Sequence, residues 1–178
     1  MVRCVMGSTL AILALGSVVL AQPQGAPKPG AEHKPLGYFV GKWKSEGEMK
    51  PGPLGAGGKM TGSDTCEWFT ASFHVVCRGE GSGPMGKMSS MGVMTYSAPE
   101  KAYTYYGIDS FGSSELATGN KKGSTWVFTS TSHMEGKSFQ SRFTIVETSP
   151  TAYTFKWEYS LDKKTWAVMM EGKATKAS

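Results

Sequence analysis

Between Tyr153 and Tyr159 the chain alternates without a break, with Tyr153, Phe155, Trp157 and Tyr159 on one parity and Thr154, Lys156 and Glu158 on the other. Successive side chains of a β-strand point to opposite faces, so this stretch reads as a strand with one buried aromatic face and one polar face. Its neighbours agree. A tight turn at Asp162-Lys163 sets Trp166 opposite Tyr159, Val168 opposite Trp157 and Met170 opposite Phe155. A loop at Thr148-Ser149-Pro150 sets Ile145 beside Tyr153 and Phe143 beside Phe155. Two turns read independently predict the same inner face, made by Phe143, Phe155, Trp157, Val168 and Met170.

Upstream the chain is cut into similar short pieces. Lys42 to Lys50 forms a first strand, and Pro51 to Gly58 is a loop on its proline and glycine content. Lys59 to Phe69 and Phe73 to Glu80 form a hairpin turning at Ala71-Ser72, followed by a glycine-rich loop from Gly81 to Lys87. Ser90 to Ser97 and Ala102 to Asp109 form a second hairpin about Ala98 to Lys101. Its register pairs Tyr96 with Tyr103 and Met94 with Tyr105 on one face, Val93 with Tyr106 and Met91 with Ile108 on the other. Both faces are apolar, so the sequence leaves open which looks inward. Glu115 to Thr118 and Ser124 to Ser132 are further strands, the second carrying Trp126 and Phe128 toward the same layer. About nine or ten short strands, joined by turns rather than crossover helices, predict an all-β fold: a single antiparallel up-and-down barrel. A two-sheet sandwich is the other arrangement such strands permit. Gly41-Lys42-Trp43 opens the series, glycine allowing a sharp bend and Trp43 plugging one barrel end.

The remaining sequence sets the compartment. Arg3, an apolar run from Ala11 to Leu20 and the small-residue ending Val19-Leu20-Ala21 read as an export signal over residues 1–21, with cleavage near Gln22. The run is shorter than the about 20 apolar residues of a membrane span. Residues 22–34, rich in proline, glycine and small polar types, read as a flexible linker that includes His33, and residues 35–178 as the barrel domain. Removing the first 21 of 178 residues also removes Arg3, lowering the net charge from +5 to +4. The basic residues are scattered, which argues against a nucleic-acid surface. Two cysteines remain, Cys66 and Cys77. The Ala71-Ser72 turn puts them directly opposite each other across the hairpin, close enough for a disulfide that persists in a periplasmic or extracellular setting. They lack the Cys-x-x-Cys spacing of a redox-active pair.

Gly41-Lys42-Trp43 resembles the Gly-x-Trp with which calycins, the lipocalins and fatty-acid-binding proteins, begin their barrels. More specifically, CEWFTASFHVVCRGEG (Cys66 to Gly81), GVMTYSAPEKAYTYYGIDS (Gly92 to Ser110) and SLDKKTWAVMMEGKATK (Ser160 to Lys176) resemble a bacterial family known as domain of unknown function 1579. The resemblance runs from Leu36 to Lys176 and implies a lipocalin-like barrel with no established activity. The lipocalin Thr-Asp-x-x-Tyr segment is missing, and so is an arginine to stack on the tryptophan, a part Lys173 can take by a cation–π contact. Nor is there the Arg-x-Tyr pair that holds a fatty acid's carboxylate.

For function the sequence offers a binding reading and a metal reading. Trp68, Trp126, Phe128, Phe143, Phe155, Trp157, Val168 and Met170 can line a cavity for a small hydrophobic ligand, bound without catalysis, and a filled core would have the same sequence. Met85 and Met88, in the glycine-rich loop, carry the soft sulfur that suits Cu(I). The pair Met91 and Met94 point to opposite strand faces and cannot share an ion. His74, within a strand, is the one histidine placed to ligate haem iron. No Gly-x-Ser-x-Gly elbow marks a hydrolase, and no glycine loop leads from a strand into a helix to cradle phosphate. No catalytic residue is assigned, and a structural or protein-interaction module remains the third possibility.

Overall fold

The turns punctuate the chain into ten antiparallel strands. The computed structural model describes residues 26–52, 56–134 and 137–177. The strands are β1 (Gly41–Met49), β2 (Gly58–Trp68), β3 (His74–Gly83), β4 (Gly86–Ser97) and β5 (Ala102–Asp109), then β6 (Ser114–Lys122), β7 (Thr125–Met134), β8 (Lys137–Ser149), β9 (Ala152–Ser160) and β10 (Ala167–Lys176). Each pairs with its successor, and β1 pairs also with β10, so the sheet closes into a barrel without free edges. The predicted up-and-down barrel is therefore the fold, and the sandwich is excluded. Closure brings Gly47 against Gly172, where a Cβ on Gly47 would stand 3.0 Å from the Gly172 Cα. Among the described residues no helix is long and apolar enough to cross a membrane. The expected export signal lies outside the described residues.

Both hairpins read from the sequence have the predicted register. Cys66 pairs with Cys77 and Trp68 with Val75, across a turn in which Ala71 and Ser72 take the left-handed backbone conformation. The two cysteines form a disulfide at a Cα separation of 4.0 Å. In the second hairpin Tyr96 pairs with Tyr103 and Met94 with Tyr105. That is the inward face: Met94 and Tyr103 are buried, while Tyr106 and Ile108 are exposed on the outside, next to Leu116 at 68% exposure.

Three expectations are corrected. The Gly81–Lys87 loop is strand on both sides of a two-residue turn at Pro84-Met85, with Gly83 pairing Gly86. Without bulky or branched side chains the glycines still complete the ladder, because it is built from backbone groups alone. Residues 31–34 are not linker. They begin a 3₁₀ helix, η1 (Ala31–Phe39), whose Leu36, Phe39 and His33 are buried across the barrel end. Two hydroxyls hold it: Tyr103 donates to the Glu32 carbonyl (2.9 Å) and Tyr38 to the Ala152 carbonyl (2.7 Å). Finally, the last three strands are displaced by two residues from the predicted pairing. Phe143 faces Trp157, Ile145 faces Phe155, and Met170 rather than Val168 faces Trp157.

Between β8 and β9 the chain turns later than expected, at Pro150-Thr151, and the irregularity between Glu147 and Ser149 takes one residue back; between β9 and β10 the connection adds one residue and the irregularity between Val168 and Met170 adds the second. A shift of two preserves the face of every side chain. A single extra residue inverts it, and Met169 is that residue in β10. Upstream of it Val168 falls opposite Glu158 on the outer wall, and Trp166 lies outside with the Arg142 guanidinium 4.1 Å from its ring centre.

Candidate functional site

The interior differs from end to end. At the η1 end it is filled: Leu36, Val75 and Trp126 have no measurable exposure, and Phe39 and Trp43 pack against them. Trp43 is the plug expected from sequence. Gly41, at φ +128°, makes the bend before it, and the indole N–H donates to the Phe39 carbonyl at 2.7 Å. The cation over its ring is Lys176, 5.1 Å from the centroid, and not Lys173, which is outside and paired with Glu46 at 2.9 Å. Trp126 donates to Glu147, which also pairs with Lys121 at 3.0 Å. Three residues expected to line a cavity therefore belong to this filled end or border it. Trp126 is core, Trp68 packs by η1 near Gly37, and Phe128 stacks on Trp126 at 6.3 Å.

Toward the other end the inward side chains become accessible. Along β2, Cys66 is buried, whereas Asp64 and Met60 on the same face are partly exposed. On the opposite wall Ile145 and Phe155 are buried, whereas Phe143 and Trp157 are partly exposed. Phe143 and Phe155 stack at 6.1 Å, Phe155 belongs to the same core as Trp126 with Phe143 and Met170 packed against it, and the Trp157 indole donates to the Ser141 hydroxyl. Four of the eight lining residues expected from sequence are thus brought together here: Phe143, Phe155, Trp157 and Met170. On the β8–β10 side a second small cluster occupies the rim, with Phe139 edge-on to Tyr159 at 6.2 Å and Met49 and Met169 buried.

The wall facing these aromatics is polar, and the sequence reading missed it. Asp64 on β2 points inward over Gly79, where a Cβ would collide with its carboxylate and lie 2.7 Å from the Ser90 hydroxyl oxygen. Gly92 and Gly107, paired across β4 and β5, give up their space to the Tyr105 ring; a Cβ on Gly92 would sit 2.6 Å from it. Beyond it, on β6, Glu115 accepts a hydrogen bond from Ser130. Strand parity could have found Asp64, since it lies two residues before Cys66 and shares its face. Burial raises the Asp64 carboxyl above the usual aspartate range. Burial, reinforced by the charges of Glu115, Asp64 and Asp109, pushes the Tyr105 hydroxyl up to about 12.

A carboxyl whose pKa is raised by folding favours the folded state below its unfolded pKa, and that contribution is lost as pH rises through the folded value. At neutral pH Asp64 therefore works against folding. Asp64→Asn is expected to raise Tm at pH 7 and to leave it unchanged at pH 3, where both side chains are neutral. Thermal unfolding of the two proteins at both pH values checks this, and equal Tm at pH 7 contradicts it.

The residues of the metal reading are placed apart. His74 is on the outer face of β3, edge-on to Phe69 at 6.5 Å, and so outside the barrel interior. Met85 is exposed in the β3–β4 turn, and Met88 sits within β4 opposite Gly81, so the glycine-rich segment that carries them is a strand pair. Among the described residues no group of three or more His, Cys, Asp or Glu is arranged around a common point. An open concavity of about 1010 Å³ spans the wall of β8, β9, β10, β1 and β2, lined by Glu46, Lys59, Glu171 and Lys173 among the outward residues and by the inward Met60 and Phe155. Of its charges, Lys173 pairs with Glu46 and Glu171 with Lys50 (3.0 Å).

A family profile described as "Protein of unknown function (DUF1579)" matches residues 28–176. Among solved structures, that of Rv2717c from M. tuberculosis aligns with a TM-score of 0.59 at 9% identity, covering 84% of this chain and 99% of that one. The S-type phycobiliprotein lyase CPES from Guillardia theta aligns with a TM-score of 0.50 at 12% identity, covering 83% and 93%. At such identities the likeness is one of fold, here a lipocalin-like barrel. No curated protein matches the sequence.

Proposed function

This chain belongs to the DUF1579 family of proteins of unknown function, and from that premise we propose that it binds a small hydrophobic molecule in the open half of its barrel, without chemistry on it. The observation that carries the reading is the contrast between the two ends. A barrel that served only as a scaffold would gain by filling both, since each large buried side chain contributes about 1.5–3 kcal/mol. Here Leu36, Val75 and Trp126 at the η1 end have no exposure, while Phe143, Trp157 and Met170 farther along the interior stay partly exposed. Barrels of this size accommodate one small ligand.

Export is part of the same proposal. The basic start, apolar run and small-residue ending over residues 1–21 support it, and a disulfide in the barrel wall suits an oxidising compartment. Native mass spectrometry of the protein purified from its own host tests the reading. The expected result is an N-terminus near Gln22 and a retained organic mass of small-molecule size. A copper or haem mass instead would replace the binding reading with the metal one. A bare chain that also takes up no apolar probe would leave a structural or interaction role.

A further inference from the structure

The open half of the barrel is not evenly lined, and the unevenness selects a ligand. One wall is aromatic, with Phe143 and Phe155 stacked and Trp157 above them. The other carries a carboxylate that no described side chain partners. Asp64 faces inward, is partly exposed, and receives no hydrogen bond or ion pair from any described side chain, and its partial burial holds its carboxyl above the usual aspartate range. Among the described side chains the inward-facing cations, Lys121 and Lys176, lie at the filled end, where Lys121 is committed to Glu147 and Lys176 rests over Trp43 and Tyr38. Glu115, the next inward carboxylate, has Ser130 as its donor and adds negative charge on the same side.

A carboxylate drawn part-way out of water without a partner costs stability, and a ligand cation can supply that partner. Aromatic faces attract cations as well, through the negative face of the ring. A carboxylate across from such rings is an arrangement suited to a positive group on an apolar body, and it repels a carboxylate or phosphate. Resting on the binding reading above, we propose that the ligand is a hydrophobic cation, an amine or quaternary ammonium on an alkyl or aromatic body, with Asp64 as its counter-ion and the Phe143–Phe155–Trp157 wall as its apolar seat.

Three probes with the same alkyl chain separate charge from hydrophobicity: decyltrimethylammonium, decanol and decanoate, titrated calorimetrically below micelle-forming concentrations into the full chain. The cation is expected to bind roughly tenfold or more tightly than decanol, with decanoate weakest. In Asp64→Asn the cation's advantage is expected to fall to about twofold, decanol affinity being unchanged, and Glu115→Gln is expected to reduce it less. If decanol binds the unaltered protein as tightly as the cation, the ligand class is wrong and the hydrophobic-binding reading stands. If none of the three binds, both go. The ranking in the unaltered protein decides the matter even if a variant fails to fold.

Discussion

Replacing Trp43 by alanine is expected to cost about 3–5 kcal/mol of folding stability, the usual range for deleting a fully packed tryptophan. The indole is 2% exposed and lies 4.8 Å from the Tyr153 ring and 5.6 Å from that of Tyr38. Its loss leaves a cavity, removes the donor to the Phe39 carbonyl and takes the ring from beneath Lys176. η1 would keep Trp126, 5.1 Å from Phe39, but lose the second ring beneath it. For a chain of this size the cost corresponds to a fall in Tm of roughly 6–20 °C. Urea unfolding followed by far-UV circular dichroism measures it directly. Trp43→Phe, which keeps most of the area but not the N–H, is expected to lose only about 1–2 kcal/mol. A cost below about 1 kcal/mol for alanine would mean that the filled end does not depend on its plug.

Breaking the disulfide is expected to cost less, about 2–3 kcal/mol, because the loop it closes spans 11 residues and the chain-entropy gain grows only slowly with length. Cys66→Ala with Cys77→Ala removes the bond without leaving a free thiol. The strands should keep their register, since Glu67 pairs with Val76 and Trp68 with Val75 through backbone bonds beside the bridge. Dithiothreitol treatment of the natural protein should shift the urea midpoint by a similar amount. Cys66 is 6% exposed and faces the interior, so reduction is expected to be slow in native buffer and to accelerate with urea. A double variant as stable as the natural protein would show that the bridge constrains little in the unfolded chain.

The hairpins were legible because their information is local. A short turn such as Ala71-Ser72 or Ala98 to Lys101 sets the register by counting outward from it, and Cys66–Cys77 and Tyr96–Tyr103 follow. At Asp162-Lys163 counting failed. The connection runs from Leu161 to Trp166, organised by the Asp162 carboxylate accepting from the backbone N–H groups of Lys164 and Thr165, and the Met169 bulge comes directly after it. Val168 was lost from the lining for that reason, while Met170 was kept. Asp64 went unnoticed for a different one: in sequence it is one polar residue among several, and its isolation appears only when Gly79, Ser90 and Tyr105 are assembled around it.

The amino-acid order by itself determined that the chain would be about nine or ten short antiparallel strands with an aromatic face, in a barrel or a sandwich, and which residues of the two early hairpins would pair, because alternation is a property of a single strand. Only the tertiary structure decided how deep each residue lies. Depth along the barrel depends on how β1 meets β2 and β10 at once, a condition that couples the two ends of the chain. It is that closure, together with η1 folding back over one opening, that makes Trp126 filler, leaves Trp157 accessible, and sets Asp64 alone across from the rings.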